Sequence, residues 1–186
     1  MGNSIERKVL FVGLSNAGST QLLYSLKLLR SPEMSFKPSH GFNYEVIDCI
    51  NNDTTTTRYK LHIFDLPGHE DLRCTWEHFY NNMNVDVMVF VVDASDKSSS
   101  KLEAVKSTFT MLCNEENLKS TAKIVVLNQK NVQGKSKIVS KSEILRVLGA
   151  EYGKMTTIIT VNAKTGKNLQ ALKKILCTGK AARGSK

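Results

Sequence analysis

The stretch KVLFVGLSNAGST, residues 8–20, constrains the fold more than any other part of this 186-residue chain. An apolar run long enough for a strand ends at Gly13, Gly18 follows after four intervening residues, and a helical pattern starts at Ser19. A strand, a glycine-spaced turn and a helix, in that order, let the backbone wrap an anion with N–H groups and the positive end of the helix facing it. Gly13, Asn16, Ala17, Gly18, Ser19 and Thr20 are therefore candidate phosphate-binding residues, and the Thr20 hydroxyl is a candidate Mg²⁺ ligand. Serine stands at position 19, where such loops place lysine; it offers a hydrogen bond but no charge. A tight strand–helix turn that binds nothing is the alternative reading of the same residues.

The rest of the chain repeats the alternation. NYEVIDCI and RYKLHIFD flank the turn-rich NNDTTTT and predict an antiparallel hairpin. VDVMVFVVD predicts a fully buried strand, and AKIVVLN and TTIITVN predict two more. Helices are predicted from Ser19 to about Leu29, from about Lys97 to Asn114, over SEILRVLG and over GKNLQALKKIL. The expected class is α/β: a six-stranded, mostly parallel sheet with one antiparallel hairpin strand and about five helices on both faces. The expected organisation is a short N-terminal extension (1–7), one domain (8–177) and a flexible basic tail (178–186).

Composition narrows the class. With 41% hydrophobic and 23% charged residues the chain reads as a soluble globular domain. Its apolar runs are strand-sized, and a charged ERK in the first ten residues argues against a secretory signal. Cys49, Cys74, Cys113 and Cys177 are widely scattered and read as four reduced thiols of an intracellular protein. The net charge of +9 is uneven: residues 1–116 carry 11 basic against 15 acidic residues, residues 117–186 carry 15 against 2. That asymmetry fits a lysine-coated surface, or an anionic partner or membrane face. Aromatic residues do not interleave with the lysines, which argues against nucleic acid as a partner.

The segments KPSHGFNYEV, FDLPGHEDLRCTWEHFY, FVVDASDK, VLNQKN and VNAKTG follow in the order and spacing of a small GTPase. From residue 8 to about residue 177 the chain resembles the Arf and Arf-like family, with GFN, WEHFY and VVDASD as the family-specific pieces. The resemblance implies the P-loop small-G-protein fold, GTP or GDP with Mg²⁺ as cofactor, and a switch that recruits effectors in membrane trafficking. It further implies an exchange factor or GTPase-activating protein as partners, and a monomeric, cytoplasmic protein with peripheral membrane contact. Asp65 matches the carboxylate that holds Mg²⁺ through water, Gly68 the glycine whose amide senses the γ-phosphate, and Ser39 the switch I hydroxyl on the metal. Phe42, Phe64 and Phe79 match the aromatic triad that meets effectors; three ordinary core aromatics is the alternative. DLPGHE is also similar to switch II of the β subunit of the signal-recognition-particle receptor, another Arf-related G protein.

Four positions depart from the family pattern. Ser19 is the first; His69 is the second, standing where the family uses glutamine to orient the attacking water, so hydrolysis is expected to be slow or absent. In the N-K-x-D element Asn128 is kept, Gln129 loses the lysine stem, and Asn131 replaces the aspartate that accepts guanine N1–H and N2–H₂. An amide there sets donor against donor at a cost of about 1–3 kcal/mol, and suits a base with a C2 carbonyl, such as xanthine, better. Lys130 takes the stacking role only if the loop shifts by one residue, and Val132 then offers no carboxylate. Asn162, Ala163 and Lys164 keep the last base element, with the Ala163 amide expected to face the base oxygen and Lys164 to cover the ring. The chain opens with the Met-Gly that N-myristoylation requires, making Gly2 a candidate lipidation site, although Glu6 occupies the usual serine or threonine position. A single acyl chain binds membranes marginally, so a second signal such as the basic C-terminal region would be required. The expectation is a nucleotide-dependent switch with weakened guanine-nucleotide binding; a nucleotide-free pseudo-GTPase scaffold is the alternative.

Overall fold

The computed structural model describes residues 4–29, 41–51, 56–130 and 138–179; Gly2, Ser39 and Asn131 lie outside them. Along the chain run β1 (Ile5–Gly13), α1 (Ser19–Leu28), β2 (Asn43–Asn51), β3 (Thr57–Asp65), α2 (Thr75–Asn82), β4 (Val87–Asp93) and α3 (Ser99–Asn114). Then follow β5 (Ala122–Asn128), α4 (Lys141–Leu148), the single turn α5 (Ala150–Gly153), β6 (Thr156–Val161) and α6 (Leu169–Thr178). The strands form one sheet in the order β2-β3-β1-β4-β5-β6. Only β2 and β3 pair antiparallel; every other neighbouring pair is parallel.

Side-chain alternation explains the layers. On β1, Val9 and Phe11 face one way, into a core with Leu22, Leu23 and Leu26 of α1 and Leu172 and Leu176 of α6. Leu10 and Val12 face the other way, into a core with Trp76 of α2, Phe109 and Leu112 of α3 and Leu148 of α4. Central β4 is buried on both faces, which is why VMVFVV carries no alternation. The described residues include no helix long and apolar enough to cross a membrane.

Three details differ from the sequence expectations. β1 begins at Ile5 rather than Lys8, because Ile5–Lys8 pair in register with Tyr59–His62 of β3; the polar Glu6 and Arg7 hide that from an apolar-run reading. Among the described residues six α-helices form, in keeping with the about five expected, although α2 and the single turn α5 were not among the segments named as helices. Cys49 of β2 and Cys177 of α6 are joined as a disulfide, correcting the expectation of four separate thiols; Cys74 and Cys113 stay free. The pair is 128 residues apart in sequence, and only the packing of α6 on the hairpin brings it together.

Helix α4 starts with a complete capping box. Ser140 Oγ accepts from the Glu143 amide at 3.2 Å, and the Glu143 carboxylate accepts from the Ser140 amide at 2.7 Å. Lys97 adds a 2.7 Å ion pair, and these donors hold the Glu143 carboxyl down at about 2. Its contribution is present above the ordinary glutamate range and fades as pH falls toward 2. Ser140→Ala is expected to lower stability by about 1 kcal/mol, readable as a reduced Tm in a thermal melt.

Candidate functional site

The loop between β1 and α1 is shaped by two left-handed residues. Asn16 has φ 62° and Gly18 φ 86°, and the Ala17 amide closes a turn onto the Leu14 carbonyl at 3.0 Å. Alternating hand in successive residues turns backbone N–H groups toward a common point, the geometry that receives an anion. No side chain caps α1, and its first turn contains no acidic residue, so the positive end of the helix is not neutralised from within its own first turn. Gly13 and Gly18 are each forced by close approach. A Cβ on Gly13 would lie 2.5 Å from the Val91 carbonyl, and one on Gly18 would lie 2.6 Å from Asn128 Nδ2.

Beside the helix start sits Asp65, at the end of β3 and 1% exposed. Thr20 Oγ1 donates to its Oδ2 at 2.6 Å, and Asn43 Nδ2 donates to the same oxygen at 3.0 Å. Oδ1 is buried without a hydrogen-bond partner among the described residues. Burial pushes the Asp65 carboxyl above its ordinary value, with the hydrogen bonds from Thr20 and Asn43 opposing the shift. A buried carboxylate with an orphaned oxygen next to a threonine hydroxyl is a donor set of the hard, oxygen type that suits Mg²⁺. The residues present fit that cation, with Thr20 and Asp65 as its holders.

Switch II packs directly on the loop. A Cβ on Gly68 would lie 2.5 Å from the Gly13 carbonyl and 2.7 Å from Leu14 C, so only glycine allows this contact. Arg73 Nε donates to the Gly68 carbonyl at 3.2 Å, and the buried Trp76 indole donates to the Pro67 carbonyl at 2.9 Å. His69 is exposed, with Nδ1 3.4 Å from Asp71 Oδ2. Asn43, Arg73 and Trp76 were not singled out as site residues from the sequence. Asn43 stood only as part of GFN, Arg73 as part of FDLPGHEDLRCTWEHFY and Trp76 as part of WEHFY.

At the far end of the loop, fully buried Asn128 ties three segments together. Its Nδ2 donates to the Ala17 carbonyl at 3.1 Å, and its Oδ1 accepts from the Ala163 amide at 3.2 Å. The Ala163 amide, the expected partner of a base oxygen, is here the donor to Asn128 Oδ1. The Asn162 side chain accepts from the Lys164 and Thr165 amides at 2.9 and 2.8 Å, turning the chain so that Lys164 is exposed at the rim. Gln129 donates its amide to the Val161 carbonyl at 2.8 Å. Lys130, not Gln129, lies along the loop: its Cε would be 3.2 Å from a Gly18 Cβ, and its Nζ pairs with Asp93 at 3.0 Å.

The three phenylalanines form one surface cluster. Phe42 and Phe79 meet edge to face at 5.1 Å, Phe64 lies 6.3 Å from Phe79, and Tyr44 extends the cluster at 4.9 Å from Phe64. Phe42 is 54% and Tyr44 46% exposed, whereas Phe64 and Phe79 are half-buried and pack against the core around Trp76. Their position follows from β2 being an edge strand of the sheet and from α2 carrying Phe79 against Phe42 and Phe64.

A chain whose glycine loop, uncapped helix and buried metal-type carboxylate converge in this way on a mixed six-stranded sheet has the P-loop small-GTPase fold. An Arl6 (BBS3) small GTPase from Trypanosoma brucei, solved with a bound nucleotide analogue GppNp, superposes with a TM-score of 0.74 over 97% of this chain and 99% of that one, at 22% identity. The chain belongs to the ADP-ribosylation factor family, whose match covers residues 1–179. ADP-ribosylation factor J of Dictyostelium discoideum is 32% identical over 127 residues, 68% of this chain and 61% of that protein, so the match spans less than two thirds of that relative's length. ADP-ribosylation factor-like protein 1 of Saccharomyces cerevisiae is 29% identical over 147 residues, 79% of this chain and 72% of that protein.

Proposed function

We propose that this protein is a nucleotide-dependent switch of the Arf-like type, with weakened guanine-nucleotide binding and slow or absent hydrolysis, that recruits effectors in membrane trafficking. The observation that carries the reading is Asp65: a buried, metal-type carboxylate with one unsatisfied oxygen, beside an uncapped helix and a glycine-shaped loop. Gly13, Asn16, Ala17, Gly18, Ser19 and Thr20 cradle phosphates; Thr20 and Asp65, with Ser39, hold Mg²⁺; Gly68 links the ligand to switch II. Bound Mg²⁺ supplies charge neutralisation between phosphates and carboxylate. The weakening rests on Ser19, Gln129 and Asn131, and slow turnover on His69, which pairs with Asp71 in solvent. The switch domain runs from β1 to α6, Ile5 to Thr178, slightly wider than the expected 8–177. Effectors dock on Phe42, Phe64 and Phe79, where the exposed Phe42 ring and the half-buried Phe64 and Phe79 rings offer apolar area to a partner. The protein works as a cytoplasmic monomer with peripheral membrane contact through Gly2 and the basic C-terminal half.

One observation favours the second reading, a nucleotide-free scaffold. Thr20 and Asn43 already satisfy Asp65 Oδ2, so half of the carboxylate is content without a cation. Calorimetric titration with GTP and GDP in Mg²⁺ separates the two. The switch reading expects micromolar or weaker affinity, raised at least about tenfold by combined Ser19→Lys and Asn131→Asp. Submicromolar binding with measurable turnover overturns the weakening, and no binding even by the double variant leaves the scaffold.

A further inference from the structure

The phosphate loop has no lysine of its own, yet an ammonium lies against it. Lys101, in the first turn of α3, places Nζ 3.2 Å from the carbonyl of Ser15, the residue before the left-handed Asn16. It reaches across 86 residues of sequence, and its side chain is half-buried rather than spread over the surface.

The other lysines nearby are neutralised. Lys130 Nζ is held by Asp93 at 3.0 Å, and Lys97 Nζ by Glu143 at 2.7 Å. Among the described residues Lys101 makes no ion pair with a carboxylate; the closest acceptor is the neutral Ser15 carbonyl. An ammonium has three donors and this carbonyl takes one. The nearest acidic influence is Asp96, whose carboxyl is held down first by Ser98 and only secondarily by Lys101 and Lys130. A partly desolvated cation with unused donors beside an anion cradle is worth far more than the same charge in water.

We propose that Lys101 supplies, from α3, the positive charge that the phosphate loop lacks at Ser19, and that it recognises the phosphate chain of a nucleoside triphosphate. The assignment rests on the proposed nucleotide-binding function and adds the residue that makes such binding feasible without a loop lysine. It also explains how Ser19 is tolerated: the charge has moved from the helix start to a neighbouring helix, while the loop amides and Thr20 stay in place. The triphosphate, carrying one more charge than the diphosphate, gains more from the contact.

The test is fluorescence titration of the full chain with labelled GTP and GDP in Mg²⁺, at two salt concentrations. Lys101→Gln keeps a donor for the Ser15 carbonyl and removes the charge; Lys101→Arg keeps the charge. Lys101→Gln is expected to weaken GTP binding about tenfold, GDP binding less, and to flatten the salt dependence. Lys101→Arg is expected to retain most of the wild-type affinity. Lys106→Gln, on the exposed face of the same helix, removes an equal net charge and is expected to change little. Two results overturn the assignment: Lys101→Gln binding GTP as tightly as wild type, or losing GTP and GDP equally with a lowered Tm, which marks a structural brace. If the wild-type chain binds neither nucleotide, the functional reading falls and the lysine assignment with it; binding by wild type and Lys101→Gln alike sinks the lysine assignment alone.

Discussion

Gly18→Ala is expected to be strongly damaging for a single added methyl, costing about 3 kcal/mol in a denaturant-unfolding experiment. Two terms add. Gly18 has φ 86°, and an alanine held there costs about 1–2 kcal/mol in backbone strain. The new Cβ would stand 2.6 Å from Asn128 Nδ2, so Asn128 must move and release the Ala17 carbonyl, a further cost of about 1–3 kcal/mol in a fully buried setting. Because Asn128 also accepts from the Ala163 amide, the disturbance spreads from the phosphate loop to the β6–α6 connection. Gly41→Ala is the matching control, since a Cβ there meets nothing within 4 Å. A Gly18→Ala protein within about 1 kcal/mol of wild type would mean that Asn128 is not the clamp described here.

Asp65→Asn is expected to separate stability from ligand response. In the folded state burial raises the Asp65 pKa above its unfolded value. The stabilising contribution of the protonated form is therefore complete below the unfolded pKa and is lost as pH rises through the folded value. At neutral pH and without a cation, the ionised carboxylate is a net cost. Removing the charge should raise Tm in the presence of a chelator, and this gain should shrink as pH falls below the usual carboxylate range. The same change should abolish any shift produced by Mg²⁺ with GTP, since a ligand stabilises only the state it binds. A variant that melts lower than wild type in chelator, yet still responds to Mg²⁺, would show that Asp65 is a structural anchor.

Why some of this was legible in the sequence follows from the range of each signal. The phosphate loop, the hairpin and the buried β4 are local patterns, visible as glycine spacing, turn composition and an unbroken apolar run. The aromatic cluster at Phe42, Phe64 and Phe79 was legible only as a motif match; that Phe42 is exposed while Phe64 and Phe79 are half-buried depends on how α2 packs beside the edge of the sheet. The contacts between Asn128 and Ala163, between Lys101 and Ser15, and between Cys49 and Cys177 span 35, 86 and 128 residues. No local pattern encodes them. The first two exist because a parallel sheet brings the C-terminal ends of β1, β4, β5 and β6 side by side, so that the loops above those ends meet, and the third follows from the packing of α6 on the hairpin. Lys130 illustrates the limit: composition placed a lysine one position late, and only the packing on Gly18 reveals what its stem touches.

The central claim is that phosphate contacts are transmitted from the loop to switch II through Gly68. Trp76 is the single tryptophan, is 1% exposed, and bonds the Pro67 carbonyl immediately before Gly68. Its intrinsic fluorescence therefore reports movement of that segment without a label. Titrating the full chain with a non-hydrolysable GTP analogue and with GDP, each in Mg²⁺, is predicted to change the Trp76 emission with the triphosphate and leave it near its starting value with the diphosphate. Saturable binding of the triphosphate, confirmed calorimetrically, with no change in Trp76 emission would contradict the account.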